Sequence, residues 1–376
     1  MEEYYKEMNT KISVVVPLYN KKDYLKLSVD SILNQTHKNI EVLIVDDCST
    51  DGSLELCREL YGSDARVKIL QQPRNMGPGA ARNTGIRSAQ GKYVVFVDGD
   101  DEIFPDRLSK MFDTAEKYNA DVVHETQFLF PLPDENGSIP LELLSDGVEY
   151  FPITSNVNGE DYTELTLLSD DMGARFDDWK KRKINWSVCS KMIRRSFLAD
   201  SSIYFPDMKF SEDMVFCFEC LFKAKNYVIV PEGNYVFRVI STSLSRSKKS
   251  SAKIVTGLKS MLEIVRSMTR MFQEIPFFAQ HPENALSALK IVLDSNEGGY
   301  IRPVYQELGE EVLRSENLIH EFMCEEFGEK APYVEFLFYE LHNKYEPVVD
   351  YFELFSDAEK IKAIAKQFRE KEKNKQ

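Results

Sequence analysis

Four short apolar runs punctuate the first hundred residues: ISVVVP at 12–17, IEVLIV at 40–45, VKIL at 67–70 and YVVFV at 93–97. They are rich in β-branched residues and continuous rather than alternating, the pattern of strands covered on both faces. Pro17 ends the first of them. Helical stretches lie between. Residues 23–33 place Tyr24, Leu25, Val29, Ile32 and Leu33 on one stripe. Ser53–Tyr61 reads as a second helix, and 77–89 as a third, entered through Gly77-Pro78-Gly79. Pro105 suits the first turn of a helix over 106–118, and 121–124 begins another strand. Strand and helix alternating over short links predict a parallel sheet with helices on both faces. Such a sheet binds ligands at the carboxyl ends of its strands.

That rule singles out two polar turns. Asp46 and Asp47 end the second strand, and Asp98-Gly99-Asp100-Asp101 follows the fourth. Clustered carboxylates repel one another, and are tolerated where they hold a hard cation or accept hydrogen bonds from a ligand. Asp98 and Asp100 on one tight turn suit Mg²⁺ or Mn²⁺ held through one or two oxygens, with positions left for phosphate. Gly99 between them is expected to allow an unusual backbone angle and close approach of a ligand. A solvated acidic turn is the other reading of so short a motif. The chain has 376 residues, with 47 Lys and Arg against 61 Asp and Glu, a net charge of −14. So acidic a chain lacks the broad basic face that nucleic acid requires. An anionic ligand here needs a local device: a metal ion, an Arg cluster or a helix N-terminus.

The segments VVVPLYNKKDYLKLSVDSILNQT, IEVLIVDDCSTDGS and NMGPGAARNTGIRSAQGKYVVFVDGDD, in that order, resemble the inverting family 2 glycosyltransferases of the GT-A fold. NWSVCSKMIRR at 185–195, then Phe210-Ser211-Glu212-Asp213, then YVFRVISTSLS at 235–245 resemble the acceptor-side half of bacterial members. The resemblance implies a nucleotide-diphospho-sugar transferase fold, a Rossmann-like mixed α/β sheet flanked by helices. It implies a nucleotide-sugar donor, most readily a UDP-sugar, and a glycan or lipid-linked acceptor. Pro17, Tyr19 and Asn20 would line the nucleotide pocket. Asp47 would accept a hydrogen bond from the base. Asp98 would face the ribose or the metal, Asp100 would bind the metal, and Arg82 would add a phosphate or base contact unless it forms an interior salt bridge. Inverting transfer also needs a base to take the proton of the acceptor hydroxyl, and the resemblance gives that role to Asp213. Ser211-Glu212-Asp213 also suits a helix start, with Ser211 as N-cap. Lys191, Arg194 and Arg195 form a basic cluster that would meet the acceptor or the diphosphate, or be a solvated helix face. Arg238, Ser243 and Ser245 fall in the region that closes over the phosphates in the family. Trp186 reads as core, with stacking on an acceptor sugar as the alternative, and Trp179 as exposed. His124 and the other four His read as structural or surface residues.

The expected organisation is a GT-A domain over 1–249 (donor half 11–128, insertion 130–175, acceptor half 176–249) and a helical C-terminal domain over 250–376. The insertion is expected to be a long loop of the acceptor region. Residues 254–272, 284–293, 303–327, 331–345 and 351–368 read as helices. The basic stretch 360–376 suits contact with an anionic membrane beside a lipid-linked acceptor, or a solvated terminal helix. The six Cys show no zinc-type spacing, and Cys217 and Cys220 read as core thiols. No run approaches a membrane span, and the acidic N-terminus is no signal peptide, so the expected location is the cytoplasm or its membrane face. A processive synthase's Q-x-x-R-W is absent, which argues for transfer of one or a few sugars. Two alternatives stand beside transfer: a non-catalytic sugar-nucleotide-binding protein, and a sugar nucleotidyltransferase. The second requires a Gly-rich loop after the first strand, and Leu18-Tyr19-Asn20-Lys21-Lys22 has no Gly.

Overall fold

The structure is a computed structural model that describes residues 11–133, 138–154, 161–238 and 251–296, together with His320, Glu321, Cys324, Glu325 and Gly328. The chain divides into two compact units, one of residues 1–207, 212–238 and 365–376, the other of 208–211 and 239–364.

In the first unit the alternation of the sequence is realised as β1 (Ile12–Leu18), α1 (Lys22–Leu33), β2 (Ile40–Asp46), α2 (Ser53–Tyr61), β3 (Val67–Gln71), α3 (Pro78–Ser88) and β4 (Tyr93–Phe96). β5 (Glu102–Ile103), α4 (Arg107–Lys117), β6 (Val122–Glu125) and β7 (Gln127–Pro131) follow. Then come β8 (Tyr150–Thr154), β9 (Thr166–Leu167), α5 (Met172–Lys180), β10 (Lys191–Arg194), α6 (Arg195–Asp200), α7 (Glu212–Lys223), β11 (Tyr227–Val230) and β12 (Tyr235–Val236). Eight strands form one sheet in the order β3-β2-β1-β4-β10-β6-β11-β9. The β3-β2-β1-β4 half is parallel, as the alternation predicts. The sheet as a whole is mixed, because β10 enters antiparallel between β4 and β6. The expected long loop at 130–175 begins inside β7, which pairs with β8 in a second sheet of order β5-β12-β7-β8.

The central strands are buried end to end, with Val14, Val15, Val16, Val42, Leu43, Ile44 and Val45 at 0% exposure. α3 lies against β1 through Gly85: a Cβ there would sit 2.3 Å from Val15 Cγ1. Buried Glu41 accepts from Ser13 Oγ at 2.6 Å and from the Gln90 amide at 2.7 Å, which fixes the entry to β4. α5 closes the other side. Its Arg175 donates to the carbonyls of Leu221, Ala224 and Lys225 and so satisfies the C-terminal end of α7. Trp179 is buried rather than exposed, lying parallel to Phe176 and edge-on to Phe218. Its charged neighbours in the sequence hide an apolar helix face turned to α7. Cys217 and Cys220 are buried free thiols on α7, and burial pushes Cys217 up to about 12.

In the second unit α8 (Ser251–Glu274), α9 (Pro276–Gln280) and α10 (Pro282–Asn296) confirm the helices expected at 254–272 and 284–293. Ile264, Met268, Met271, Phe278, Ala288 and Val292 form their shared core. The helices expected at 331–345 and 351–368, nearly all of 303–327 and the basic stretch 360–376 lie outside the described residues. No described helix is long and apolar enough to cross a membrane.

Gly85→Ala is expected to destabilise the protein by about 1–3 kcal/mol, because overpacking at Val15 forces α3 off the sheet. Urea unfolding would show a lower midpoint at an unchanged slope; an unchanged midpoint would show that α3 retreats at no cost.

Candidate active site

The turn after β4 is tied down at nearly every polar atom. Asp101 N donates to Asp98 O at 3.0 Å. Tyr235, on β12, donates its hydroxyl to Asp101 Oδ2 at 2.6 Å, and the Tyr235 hydroxyl oxygen accepts from Asp98 N at 3.2 Å. Arg238 donates its backbone N–H to Asp101 Oδ1 at 2.7 Å and its Nε to Asp100 O at 2.8 Å. Its Nη2 pairs with Glu102 Oε1. Asp101 is buried, and burial raises its carboxyl well above the usual range, with the charges of Asp100 and Asp98 adding to the effect. Asp98 is the most open of the three, at 30% side-chain exposure against 12% for Asp100. Gly99 has no left-handed backbone, contrary to expectation. Its missing side chain instead admits the Pro17 carbonyl, 3.3 Å from where a Cβ would stand.

Arg82 joins this turn to the start of α7. Its Nη2 donates to Asp98 Oδ1 and its Nη1 to Glu212 Oε1, each at 2.8 Å. Burial alone would lower the pKa of this guanidinium, but the charges of Asp98 and Glu212 raise it well above normal. The neighbouring residues of the GPGAARN segment complete the clamp. A Cβ on Gly79 would meet Glu212 Cγ at 3.0 Å. Asn83 exchanges hydrogen bonds with the Phe205 backbone at 2.8 and 2.9 Å. Asp213, next to Glu212, is half-buried, and its Oδ1 accepts from Met214 N at 2.9 Å. Burial raises the carboxyls of both; Asp213 adds to the effect at Glu212, and Arg82 opposes it at both. Ser211 has φ 64°, not the extended backbone usual for an N-cap.

Asp47 lies at the neighbouring strand end, buried, with Oδ1 accepting from Met76 N and Oδ2 from Gly77 N, both at 2.7 Å. It thereby shapes the loop that enters α3. Asp46 is buried, and its carboxylate accepts from Ser49 N. Asn20 ties the loops after β1 and β2 together, donating its N–H to Ser49 Oγ and accepting from Thr50 N through Oδ1. Tyr19 is 44% exposed and Pro17 half-buried.

The structure thus brings Asp98, Asp100, Arg82, Asp213 and Arg238 around one turn. Lys191 is a correction. It is wholly buried, and its ammonium donates to Asn185 O, Ser187 O and Ser190 Oγ, so it holds the 185–190 turn from inside rather than facing a ligand. Trp186 on that turn is half-buried rather than core. His124 is buried against Tyr227, and burial holds it well below its usual pKa. Ser243 and Ser245 lie outside the described residues. Sequence reasoning missed Lys21, whose Nζ is 2.6 Å from Asp100 Oδ2, and Tyr235. The only sequence signal for Lys21 was its position at the carboxyl end of β1.

Asp98 and Asp100 fit a divalent cation of the kind held by one or two carboxylates and completed by substrate oxygens. They are close enough that the charge of Asp98 raises the Asp100 carboxyl, although burial is the larger cause and Lys21 opposes both. No cluster of three or more metal-ligating side chains occurs among the described residues. An all-protein cage is therefore not what this donor set offers.

A parallel half-sheet with acids at the carboxyl ends of its strands is one that takes ligands at that edge. The profile described as Glycosyl transferase family 2 matches residues 13–164. A glycosyltransferase of Haemophilus influenzae, itself uncharacterised, is 31% identical over 242 residues, covering 64% of this chain and 84% of that protein. Glycosyltransferase GlyG of Streptococcus pneumoniae serotype 4 is 31% identical over 243 residues, covering 64% of this chain and 75% of that protein. The crystal structure of S. aureus TarS 1-349 in complex with UDP shares the fold, with a TM-score of 0.54 at 20% identity, over 96% of this chain and 92% of that one. The chain belongs to glycosyltransferase family 2 and is a glycosyltransferase of the GT-A fold, acting by nucleotide-sugar transfer.

Asp47→Ala is expected to cost about 3 kcal/mol, because it strips two loop amides of a charged acceptor. Asp47→Asn, which keeps one carbonyl oxygen, should recover about half of that loss in the same unfolding measurement.

Proposed function

We propose that this enzyme transfers one sugar at a time from a UDP-sugar to a hydroxyl of a glycan or lipid-linked acceptor, with inversion at the anomeric carbon. The observation that carries the reading is the Arg82 bridge. It brings the Asp98 turn and the Glu212-Asp213 helix start to opposite ends of one guanidinium. Asp213 acts as the general base. Its carboxylate takes the proton of the acceptor hydroxyl while that oxygen bonds to the anomeric carbon. The bond from that carbon to the diphosphate oxygen breaks on the opposite face, and the nucleoside diphosphate leaves with the electron pair.

Asp100, with Asp98, would hold Mn²⁺ or Mg²⁺, which would supply positive charge to offset that of the leaving diphosphate. Pro17, Tyr19 and Asn20 line the nucleotide side, and Asp47 holds the adjoining loop in shape beneath the base. Arg238 acts from behind the turn, through Asp100 O and Glu102. The uridine assignment is supported by the family resemblance, and TarS, which shares the fold, was solved with UDP and with UDP-GlcNAc. The domain reading, a transferase unit followed by a helical C-terminal domain, belongs to the same proposal, as does a cytoplasmic or membrane-face location.

Asp213→Asn is expected to retain nucleotide binding in a thermal-shift assay with Mn²⁺. Its sugar transfer should fall by about 10²–10⁴-fold, the usual contribution of general base catalysis. Binding by both proteins with turnover by neither, across donors and acceptor extracts, would favour a sugar-nucleotide-binding protein instead.

The pH profile tests the base separately. Burial raises the Asp213 carboxyl, so the base becomes protonated at a higher pH than an exposed Asp. The acid limb of kcat/KM should therefore fall above about pH 4, the ordinary Asp value. A limb at or below that value would remove Asp213 from the role.

A further inference from the structure

Lys21 has no part in the reaction described above, yet it faces Asp100 across an ion pair of 2.6 Å with little exposure at either end, 17% and 12%. The loop that carries it is fixed. Lys21 N donates to Ser53 Oγ at 3.0 Å, Asn20 N to Ser49 Oγ at 3.0 Å, and Lys22 N to Asp51 Oδ2 at 3.1 Å. The backbone there is tied, and the Lys21 side chain reaches from it to Asp100. The other cations at the turn differ in kind. Arg82 is forked between Asp98 and Glu212, and Arg238 between Asp100 O and Glu102. The Lys21 ammonium has one side-chain acceptor among the described residues, Asp100. A lysine on a flexible stem is a point charge that can change partner, which a forked guanidinium cannot do as readily.

We infer that Lys21 is a resident counter-ion which a divalent cation must displace from Asp100, so that the cation binds well only together with a nucleoside diphosphate. The inference rests on the reading of Asp100 as a metal ligand. Without nucleotide, displacement leaves an ammonium beside a doubly charged ion with no anion to receive it, and like charges at short range repel. A diphosphate brings two or three negative charges to the same place. It accepts the displaced ammonium and completes the coordination of the cation. Metal and nucleotide therefore bind with positive coupling, and the coupling is reciprocal.

The test is a titration of the full chain with MnCl₂, reading free Mn²⁺ by electron paramagnetic resonance, with and without UDP. Lys21→Gln keeps most of the stem and removes the charge; Lys21→Ala is the second variant, and both are checked for folding by their thermal transitions. In each variant Mn²⁺ alone should bind about tenfold tighter than to wild type, and the enhancement by UDP should shrink by about the same factor. Unchanged or weaker Mn²⁺ binding without nucleotide, or an unchanged UDP enhancement, overturns the inference. Asp100→Ala separates the two levels. If it abolishes Mn²⁺ binding while the Lys21 variants behave as wild type, only the counter-ion role fails. If Mn²⁺ binding survives Asp100→Ala, the metal assignment fails and takes the counter-ion with it.

Discussion

A single buried guanidinium decides the geometry of the site. Arg82 is only 6% exposed and holds Asp98 with one nitrogen and Glu212 with another. A buried charge is stable only with good partners, and removing one side of such an arrangement typically costs about 3–5 kcal/mol. Asp98 sits on a turn between two strands and Glu212 opens a helix 114 positions later in the chain. The bridge therefore makes the separation of two distant segments a property of one side chain. Gly79 and Asn83 fix the other end of that side chain, by letting Glu212 approach and by gripping Phe205.

The same logic runs around the whole acidic turn. In a chain of net charge −14, consecutive carboxylates can be packed only if each is answered locally. Asp98 has Arg82, Asp100 has Lys21, and Glu102 has Arg238. Asp101 has no cation on its oxygens, but a tyrosine hydroxyl and a backbone amide. That is consistent with burial raising its carboxyl well above the usual range. Three of the four acids of the turn thus have a cation each, and the fourth has neutral donors.

Much of this was legible in advance because it is local. The continuous apolar runs marked β1 to β4, and the parallel half of the sheet placed Asp47, Asp98 and Asp100 at strand ends. What escaped was set by partners far away in the chain. β10 reverses direction because it fills a slot between β4 and β6, and nothing in residues 191–194 records that. Trp179 sits among charged neighbours and Lys191 shortly precedes Arg194 and Arg195, so both suggest water. Both are buried by elements more than ten residues away or by the carbonyls of a preceding turn. Gly99 shows the reverse error. Its need for glycine was visible, but the reason is the Pro17 carbonyl rather than a backbone angle.

The bridge also sorts the two acids that begin α7. Adjacent buried carboxylates cannot both be ionised cheaply, so a site with two of them must distinguish their roles. Glu212 has an oxygen committed to the Arg82 guanidinium at 2.8 Å. Burial and the charge of Asp213 outweigh that contact and push the Glu212 carboxyl up to about 7, so what the ion pair takes from Glu212 is an oxygen free to meet a substrate rather than its affinity for a proton. Asp213 accepts one backbone hydrogen bond and is the more exposed of the pair. Burial raises its carboxyl, the charge of Arg82 opposes that rise through space, and the charge of Asp98 adds to it. In the proposed reaction Arg82 therefore favours Asp213 as the base by occupying an oxygen of its neighbour.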